Sequence, residues 1–112
     1  MLNGNFEDKR VFERFPVKFP VRYFQTSYSD TQEGLARAQD ISAKGVGLVT
    51  KEKLPVNTPL EMWLEIQDKG DPLYARGQVV WSKPAGINEF WSGISLDRAD
   101  LMGLSRVLRV GQ

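Results

Sequence analysis

The chain carries the sequence DISAKG at residues 40–45, directly before the apolar run VGLV at residues 46–49. Asp40 and Ser42 have short polar side chains that hydrogen-bond to nearby backbone and favour turns. Gly45 lets another strand or a ligand approach the backbone closely. By itself, this stretch predicts a turn that enters a β-strand, which is a structural role with no function attached.

The segments around this turn alternate between apolar and polar residues, with the period of two that is typical of half-buried strands. Residues 60–66 show the clearest alternation, because Leu60, Met62, Leu64 and Ile66 are separated by Glu61, Trp63 and Glu65. The other predicted strands cover residues 15–25, 34–40, 73–83 and 90–96, and one follows the signature within residues 41–51. In the strand over 73–83, one face is predicted to carry Ala75, Gly77, Val79 and Trp81.

The period changes after residue 96. Asp97 and Asp100 resemble a capping box, and Leu101, Leu104, Val107 and Leu108 follow on one helical face. This pattern predicts a helix over about 98–109 that covers an open end of the sheet or docks on a partner. Arg106 and Arg109 are expected to be solvated at the helix end, where positive charge is favourable. The predicted fold class is all-β: a six-stranded antiparallel barrel, or split barrel, with a short C-terminal α-helix.

The composition limits the possible functions. With 112 residues, 41% of them hydrophobic, the chain can build one core but not two. Because it contains no Cys and no His, disulfides, Cys/His zinc sites and imidazole-based catalysis are excluded, so an enzyme is the least expected class. The net charge of +1 does not predict broad nucleic-acid binding. No apolar run reaches membrane-spanning length and no signal peptide is recognisable, so a cytoplasmic location is expected.

A second signature lies near the N-terminus, where Arg10 and Arg14 are four residues apart and Lys9 precedes them. Guanidinium groups are planar and permanently charged, and they bind phosphate or the O6/N7 edge of guanine through paired hydrogen bonds. Alone, this segment is typical of a solvated basic flank. In this order, however, R-x-x-x-R and then D-x-S-x-x-G on an all-β pattern resemble the PilZ domain family, over about residues 9–110. That family binds the bacterial second messenger cyclic di-GMP on a small β-barrel.

The resemblance implies a ligand site for cyclic di-GMP, with no metal, no catalytic residue and no further cofactor. The site residues that it implies are Lys9, Arg10, Arg14, Asp40, Ser42 and Gly45.

Each of these residues has an expected role. The two arginines contact phosphate oxygens and guanine edges, and Asp40 accepts hydrogen bonds from guanine N1–H and N2–H₂, which adenine does not present. Ser42 binds near a phosphate or a base. Gly45 is required because a Cβ would meet the ligand or force an unfavourable φ. Lys9 occupies a position that influences whether one messenger or a stacked pair is bound. Ile41, between the two polar residues, is expected to point into the core.

The same resemblance suggests how a signal is passed on. Residues 1–8 are predicted to form a flexible arm, and residues 9–112 a single domain. Without ligand the basic residues have no anion to bind, so residues 1–14 are expected to be mobile. Binding then orders the arm over the barrel, which changes the contact with a partner protein or a linked domain.

Two other functions stay open at this point. One is a PilZ-like protein–protein interaction module that does not bind nucleotide. The other is a small barrel that binds single-stranded nucleic acid on stacked aromatic residues, which the near-zero net charge disfavours. The three tryptophans are predicted to lie in the core or in a docking patch, with a base-stacking role for one of them left open. They are Trp63, Trp81 and Trp91.

Overall fold

The described part of the chain consists of six β-strands followed by one α-helix. The structure is a computed structural model, in which residues 14–26, 33–98 and 101–110 are described, residues 101 and 102 by their backbone alone. The predictions made for residues 1–13, including those for Lys9 and Arg10, lie outside the described residues. In chain order the elements are β1 (Phe15–Gln25), β2 (Gly34–Ser42), β3 (Gly45–Thr50), β4 (Pro59–Leu64), β5 (Leu73–Gly86), β6 (Glu89–Leu96) and α1 (Leu101–Val110).

The six strands form one sheet that closes on itself. Neighbouring strands pair antiparallel in the order β1-β2-β3-β6-β5-β4, and β4 pairs back onto β1. Closure gives each strand two partners, which is how small antiparallel proteins avoid exposed sheet edges. The predicted all-β fold, with six antiparallel strands and one short C-terminal helix, is confirmed. Among the described residues, no helix has the length and apolar character needed to cross a membrane.

The core lies inside the ring and follows the alternation of the strands. In β4, Leu60, Met62 and Leu64 are buried, and Ile66 just beyond the strand is buried as well. Leu54 joins the same core from the loop before β4. Each such side chain contributes about 1.5–3 kcal/mol when removed from water, so the apolar face of each strand is strongly held inward.

The strand β5 departs from the prediction near its middle. Its register on β6 shifts between Val79 and Trp81, which is the signature of a β-bulge. After the bulge, the alternation is out of phase, and Val80 and Trp81 are both exposed, Trp81 by 37%. The prediction that Trp81 shares the inner face with Val79 is therefore wrong. The bulge turns its indole to the outside of the barrel.

The helix α1 begins at Leu101, three residues later than predicted. The backbone N–H of Asp97 donates to the carbonyl of Arg76 at 2.9 Å, so the chain still follows β5 at that point. Leu104 and Val107 are buried in the same cluster as the barrel core, whereas Arg109 is exposed. The helix therefore closes one end of the barrel, as predicted.

Arg106 holds this helix to the segment between β4 and β5. Its Nε donates to Asp68 Oδ2 at 2.8 Å, its Nη2 donates to Asp68 Oδ1 at 2.9 Å, and Nη2 also donates to the carbonyl of Asp71 at 2.8 Å. These hydrogen bonds hold the pKa of the Asp68 carboxyl well below its usual range. The expectation that Arg106 is solvated is therefore wrong, because the loop that follows β4 places a carboxylate within its reach.

We expect Arg106→Gln to lower the urea midpoint of unfolding at pH 7, and Arg109→Gln on the same helix to leave it nearly unchanged. Since the folded state depresses the pKa of Asp68, the stability from this pair is fully present above the unfolded pKa of about 4. It is lost as the pH falls through the lower folded pKa, so the difference between wild type and Arg106→Gln should shrink in strong acid. Equal effects of the two substitutions at pH 7 would contradict this role of Arg106.

Candidate functional site

The signature at residues 40–45 forms the tight connection between β2 and β3. Asp40 lies opposite Gly47, and Ser42, the last residue of β2, lies opposite Gly45. The turn itself is two residues, Ala43 and Lys44, and the N–H of Lys44 donates to Ser42 Oγ at 3.3 Å. The predicted turn is present, but it is shorter than the signature, and β2 extends two residues beyond its predicted end.

The register of β2 on β3 shifts between Ala38 and Asp40, which changes the face on which Asp40 lies. Ile41 points into the core with 3% of its surface exposed, as predicted. Asp40 therefore faces the outside of the barrel, where Arg14, the residue before β1, meets it. Arg14 Nε donates to Asp40 Oδ1 at 2.6 Å, and the two side chains are 43% and 17% exposed. The two sequence signatures thus contact each other directly, although 26 residues separate them.

Gly45 lies beneath the Arg14 guanidinium. A Cβ at Gly45 would lie 3.2 Å from Arg14 Nη1, 3.1 Å from the carbonyl oxygen of Ile94 and 3.8 Å from Ser42 Oγ. None of the described glycines has a positive φ, so Gly45 is required for space and not for an unusual backbone conformation. Arg14, Asp40, Ser42 and Gly45, four of the six predicted site residues, are therefore brought together. The other two, Lys9 and Arg10, lie outside the described residues.

Arg14 differs from its predicted environment in one respect. It was expected to have no anion in the absence of ligand, but the Asp40 carboxylate is its partner. Partly exposed ion pairs of this kind are worth about 0–1 kcal/mol. The pair therefore orients the guanidinium without fixing it strongly, and Nη1 and Nη2 are not engaged by Asp40.

Two further residues belong to this outer surface and were missed by sequence reasoning. A Cβ at Gly47 would lie 2.5 Å from Asp40 Oδ2 and 2.9 Å from Trp91 Nε1, so a carboxylate oxygen and an indole N–H both face the space over Gly47. Trp91 is on β6, which lies beside β3 in the ring although the paired residues are 40 to 50 positions apart in the sequence. Gly47 inside an apolar strand was the available signal, since a strand glycine often marks a close approach.

Among the described residues, Trp91 Nε1 is a buried donor without a hydrogen-bond partner. Its ring meets Trp81 edge to face, with centroids 5.3 Å apart and planes at 84°. The Lys83 ammonium lies 4.7 Å from the centroid of Trp91 and 5.5 Å from that of Trp81. These three residues extend the outer surface from Gly47 towards β5. By contrast, Trp63 on β4 packs against Phe24 and Tyr74, on the other side of the ring.

The chain thus forms a closed six-stranded barrel with an arginine–aspartate pair at the corner between β2 and β3. The chain belongs to the PilZ domain family: the model of that family, described as "PilZ domain", matches residues 8–106. Among curated protein sequences, none matches this chain.

Solved structures agree with this fold. The PilZ domain of CeSA from a cellulose-synthesising bacterium has a TM-score of 0.58 and 19% identity, over 88% of this chain and 93% of that one. The PilZ domain of YcgR from Escherichia coli, solved with c-di-GMP, has a TM-score of 0.52 and 11% identity, over 88% and 83%. The inhibitor of motility MotI/DgrA from Bacillus subtilis has a TM-score of 0.61 and 11% identity, over 86% of this chain but 46% of its own. The chain thus spans about half the length of that protein.

We expect Gly47→Ala and Gly77→Ala to differ in their cost to stability. The new methyl group at Gly47 meets the ends of two side chains, Asp40 and Trp91, and displacing the carboxylate costs about 1 kcal/mol or less. The methyl group at Gly77 meets the backbone carbonyl of Ser95, so two paired strands must move, at a cost of about 1–3 kcal/mol or more. Urea denaturation of the two variants measures the difference, and equal midpoints would contradict the placement of Asp40 over Gly47.

Proposed function

We propose that this chain binds cyclic di-GMP at the outer corner of β2 and β3, and that it is a non-enzymatic receptor in the bacterial cytoplasm. The observation that carries the proposal is the contact between Arg14 and Asp40 over Gly45, which joins the two signatures of the family in one place. Membership of the PilZ family supports it, as does the YcgR domain, whose structure contains c-di-GMP.

The positive charge for the ligand comes first from Arg14. Arg14 uses Nε for Asp40, and its Nη1, which lies over Gly45, can bind a phosphate oxygen. Lys9 and Arg10 precede it by a few residues and supply further cations for the two phosphates. Ser42, whose hydroxyl lies on the same side of Gly45 as Arg14, adds a hydrogen bond to a phosphate or a base.

The choice of guanine comes from Asp40. Its Oδ1 is engaged by Arg14, and its Oδ2 lies over Gly47 beside the indole Nε1 of Trp91. A carboxylate oxygen there accepts from guanine N1–H and N2–H₂, whereas adenine presents an acceptor at N1. The absence of a side chain at Gly45 and at Gly47 lets the Arg14 guanidinium lie over Gly45 and the Asp40 carboxylate lie over Gly47.

The proposed output is a change in the segment before β1. Lys9, Arg10 and Arg14 all precede β1 in the sequence, so binding of a shared anion would draw residues 9–14 onto the β2–β3 corner. This closing of the N-terminal segment changes the surface that a partner protein or a linked domain contacts.

A second candidate is a PilZ domain that acts as a protein–protein module without nucleotide. It is favoured by the same ion pair, because Arg14 and Asp40 already neutralise each other without a ligand. Calorimetric titration with cyclic di-GMP, cyclic di-AMP, GTP and a short single strand separates the two. Binding of cyclic di-GMP alone supports the receptor, and binding of none supports the module.

Arg14→Ala should weaken cyclic di-GMP binding about tenfold to a hundredfold, since charge-assisted hydrogen bonds contribute about 1.5–3 kcal/mol. Arg22→Ala is the matched control. Arg22 lies on β1, and like Arg14 it forms a partly exposed ion pair, in its case with Glu33 at 3.1 Å. It should leave the affinity within about twofold. Equal effects of the two substitutions, or none from Arg14→Ala, would remove Arg14 from the site.

Asp40→Ala should reduce the preference for cyclic di-GMP over cyclic di-AMP, because the acceptor that reads N1–H and N2–H₂ is lost. The ratio of the two dissociation constants is the quantity to measure, since the loss of the Arg14 partner changes both affinities together. A ratio equal to that of the wild type would exclude Asp40 from recognition of the base.

A further inference from the structure

The hairpin of β5 and β6 projects from the barrel at its turn. Its last pair, Gly86 with Glu89, lies beyond the pairing of β3 with β6, which reaches only to Phe90. On the other side, the pairing of β4 with β5 ends at Gln78. The end of the hairpin, residues 84–89, therefore extends past both neighbouring strands. This segment is called the hairpin tip below.

The hairpin tip is apolar at a place where turns normally carry polar residues. Ile87 is 92% exposed, and Pro84 and Ala85 beside it are exposed as well. The turn consists of Ile87 and Asn88, and Asn88 adopts a left-handed φ of 56°, which asparagine tolerates. The fold itself gains little from an isoleucine here, because its side chain has almost no contact with the barrel. Exposed apolar groups of this kind mark surfaces that contact another molecule.

The same chain carries an apolar groove between β1 and α1. Because β1 pairs with β4 only from Val21 onwards, the first half of β1 has β2 on one side and the helix, instead of a strand, on the other. The gap that this leaves is a groove of about 460 Å³, which has room for more than one side chain. It is called the β1–α1 groove below. Its apolar lining includes Phe15, Val17 and Phe19 from β1, and Val107, Leu108 and Val110 from α1.

The charges of the two surfaces are opposite. Lys18 lines the β1–α1 groove and is exposed, and it forms no ion pair with any residue that the structure describes. The hairpin tip carries Glu89, whose Oε1 would lie 3.7 Å from a Cβ at Gly86 and which likewise has no ion pair within the described part of the chain. An apolar tip with a carboxylate therefore matches an apolar groove with an ammonium group. Contact between two tips or between two grooves would bring like charges together.

We infer that the β1–α1 groove binds the hairpin tip of a second copy of this chain, with Ile87 in the groove and Glu89 beside Lys18. The tip lies where β6 begins, whereas α1 and the groove lie at the end of the barrel where β6 ends, eight residues or about 25 Å away. In the ring, β6 and β1 are also on opposite sides.

This placement determines the kind of assembly. Because the tip and the groove face away from each other, one neighbouring copy cannot engage both of them. Each copy therefore binds one neighbour through its tip and another through its groove, which is a head-to-tail contact. The contact is small, so we expect association to be weak, with a dissociation constant of about 0.1 mM or above. No nucleotide takes part, so the inference goes beyond the proposed function and can be tested without it.

The test is analytical ultracentrifugation of the full chain without nucleotide, over micromolar to millimolar concentrations. The weight-average mass of the wild type should rise with concentration past that of two chains, and Ile87→Asp should abolish the rise. The matched control is Val56→Asp. Val56 is 53% exposed in another turn, and the residue after it, Asn57, also has a positive φ, of 75°. This control should leave the rise unchanged.

Charge reversal tests the pairing of the two surfaces. Glu89→Lys and Lys18→Glu should each weaken association about twofold to fivefold, as expected for an exposed ion pair, and the double variant should recover the affinity of the wild type. A mixing experiment tests the head-to-tail arrangement. Val110→Arg places a long side chain in the groove, and its charge suits the end of a helix. Ile87→Asp and Val110→Arg should each be monomeric, whereas their mixture should form pairs and nothing larger. If Val110→Arg does not fold, the charge reversals carry the test.

Three results would overturn the inference. The first is a wild type that stays monomeric up to millimolar concentration, and the second is association that Ile87→Asp leaves unchanged. The third is a wild-type mass that levels off at two chains, since a closed pair is incompatible with a tip and a groove on opposite sides of the barrel. None of these results bears on cyclic di-GMP binding, which is measured separately by calorimetry.

Discussion

The location of the site depends on one buried side chain, Ile41 of β2. Successive residues of a strand face opposite sides of the sheet, so the burial of Ile41 forces Asp40 to the other side, whereas Ser42 at the end of the strand is 3% exposed. A shift of one residue in the pairing of β2 would bury the Asp40 carboxylate among apolar side chains, and an unpaired buried charge is far more costly than a lost hydrogen bond. The packing of the core therefore sets the register, and the register sets which groups are presented to a ligand.

The ion pair between Arg14 and Asp40 has a strength that suits a binding site. At 2.6 Å with both partners partly exposed, it belongs to the class of pairs that contribute about 0–1 kcal/mol. A hydrogen bond from arginine to a phosphate contributes about 1.5–3 kcal/mol, so a doubly charged ligand outweighs any rearrangement of the pair. The carboxylate thus orients the guanidinium beforehand and does not compete strongly with the ligand for it. A fully buried pair at the same place would be much harder to open.

Much of the fold could be predicted from the sequence, because its strands carry a regular period of two. Leu60, Met62 and Leu64 alternate without a break, and they all face the core. The part that could not be predicted is the order of the strands in the ring. The sequence pattern predicts an inner face for β3 and for β6, but it does not predict that Trp91 lies next to Gly47. Contacts of this kind depend on closure of the whole sheet.

Two other residues escaped prediction for different physical reasons. Trp81 fits the apolar phase of β5 by sequence alone, and one extra residue in the ladder reverses its face. A bulge that contains no glycine has no reliable signal in the sequence. The period of two therefore predicts the wrong face for the residues that follow the bulge. Arg106 is a normal helix-end cation by sequence, and its partner Asp68 lies 38 residues away on a loop. The residues of the candidate site lie in two short motifs whose types and order are specific, and four of them, Arg14, Asp40, Ser42 and Gly45, lie together in the structure.

The distribution of charge explains how a chain with a net charge of +1 can be suited to a dianion. Net charge averages over the surface, whereas binding depends on the cations within about one Debye length of the ligand, roughly 8–10 Å in physiological salt. At the β2–β3 corner, the charge of Arg14 is balanced by Asp40, so this pair alone offers orientation and little net attraction. For the proposed ligand, attraction must then come from other cations. Lys83 lies over the indole rings of Trp81 and Trp91, and Lys9 and Arg10 precede β1 in the sequence. The proposed binding of a dianion therefore depends on more cations than Arg14 alone.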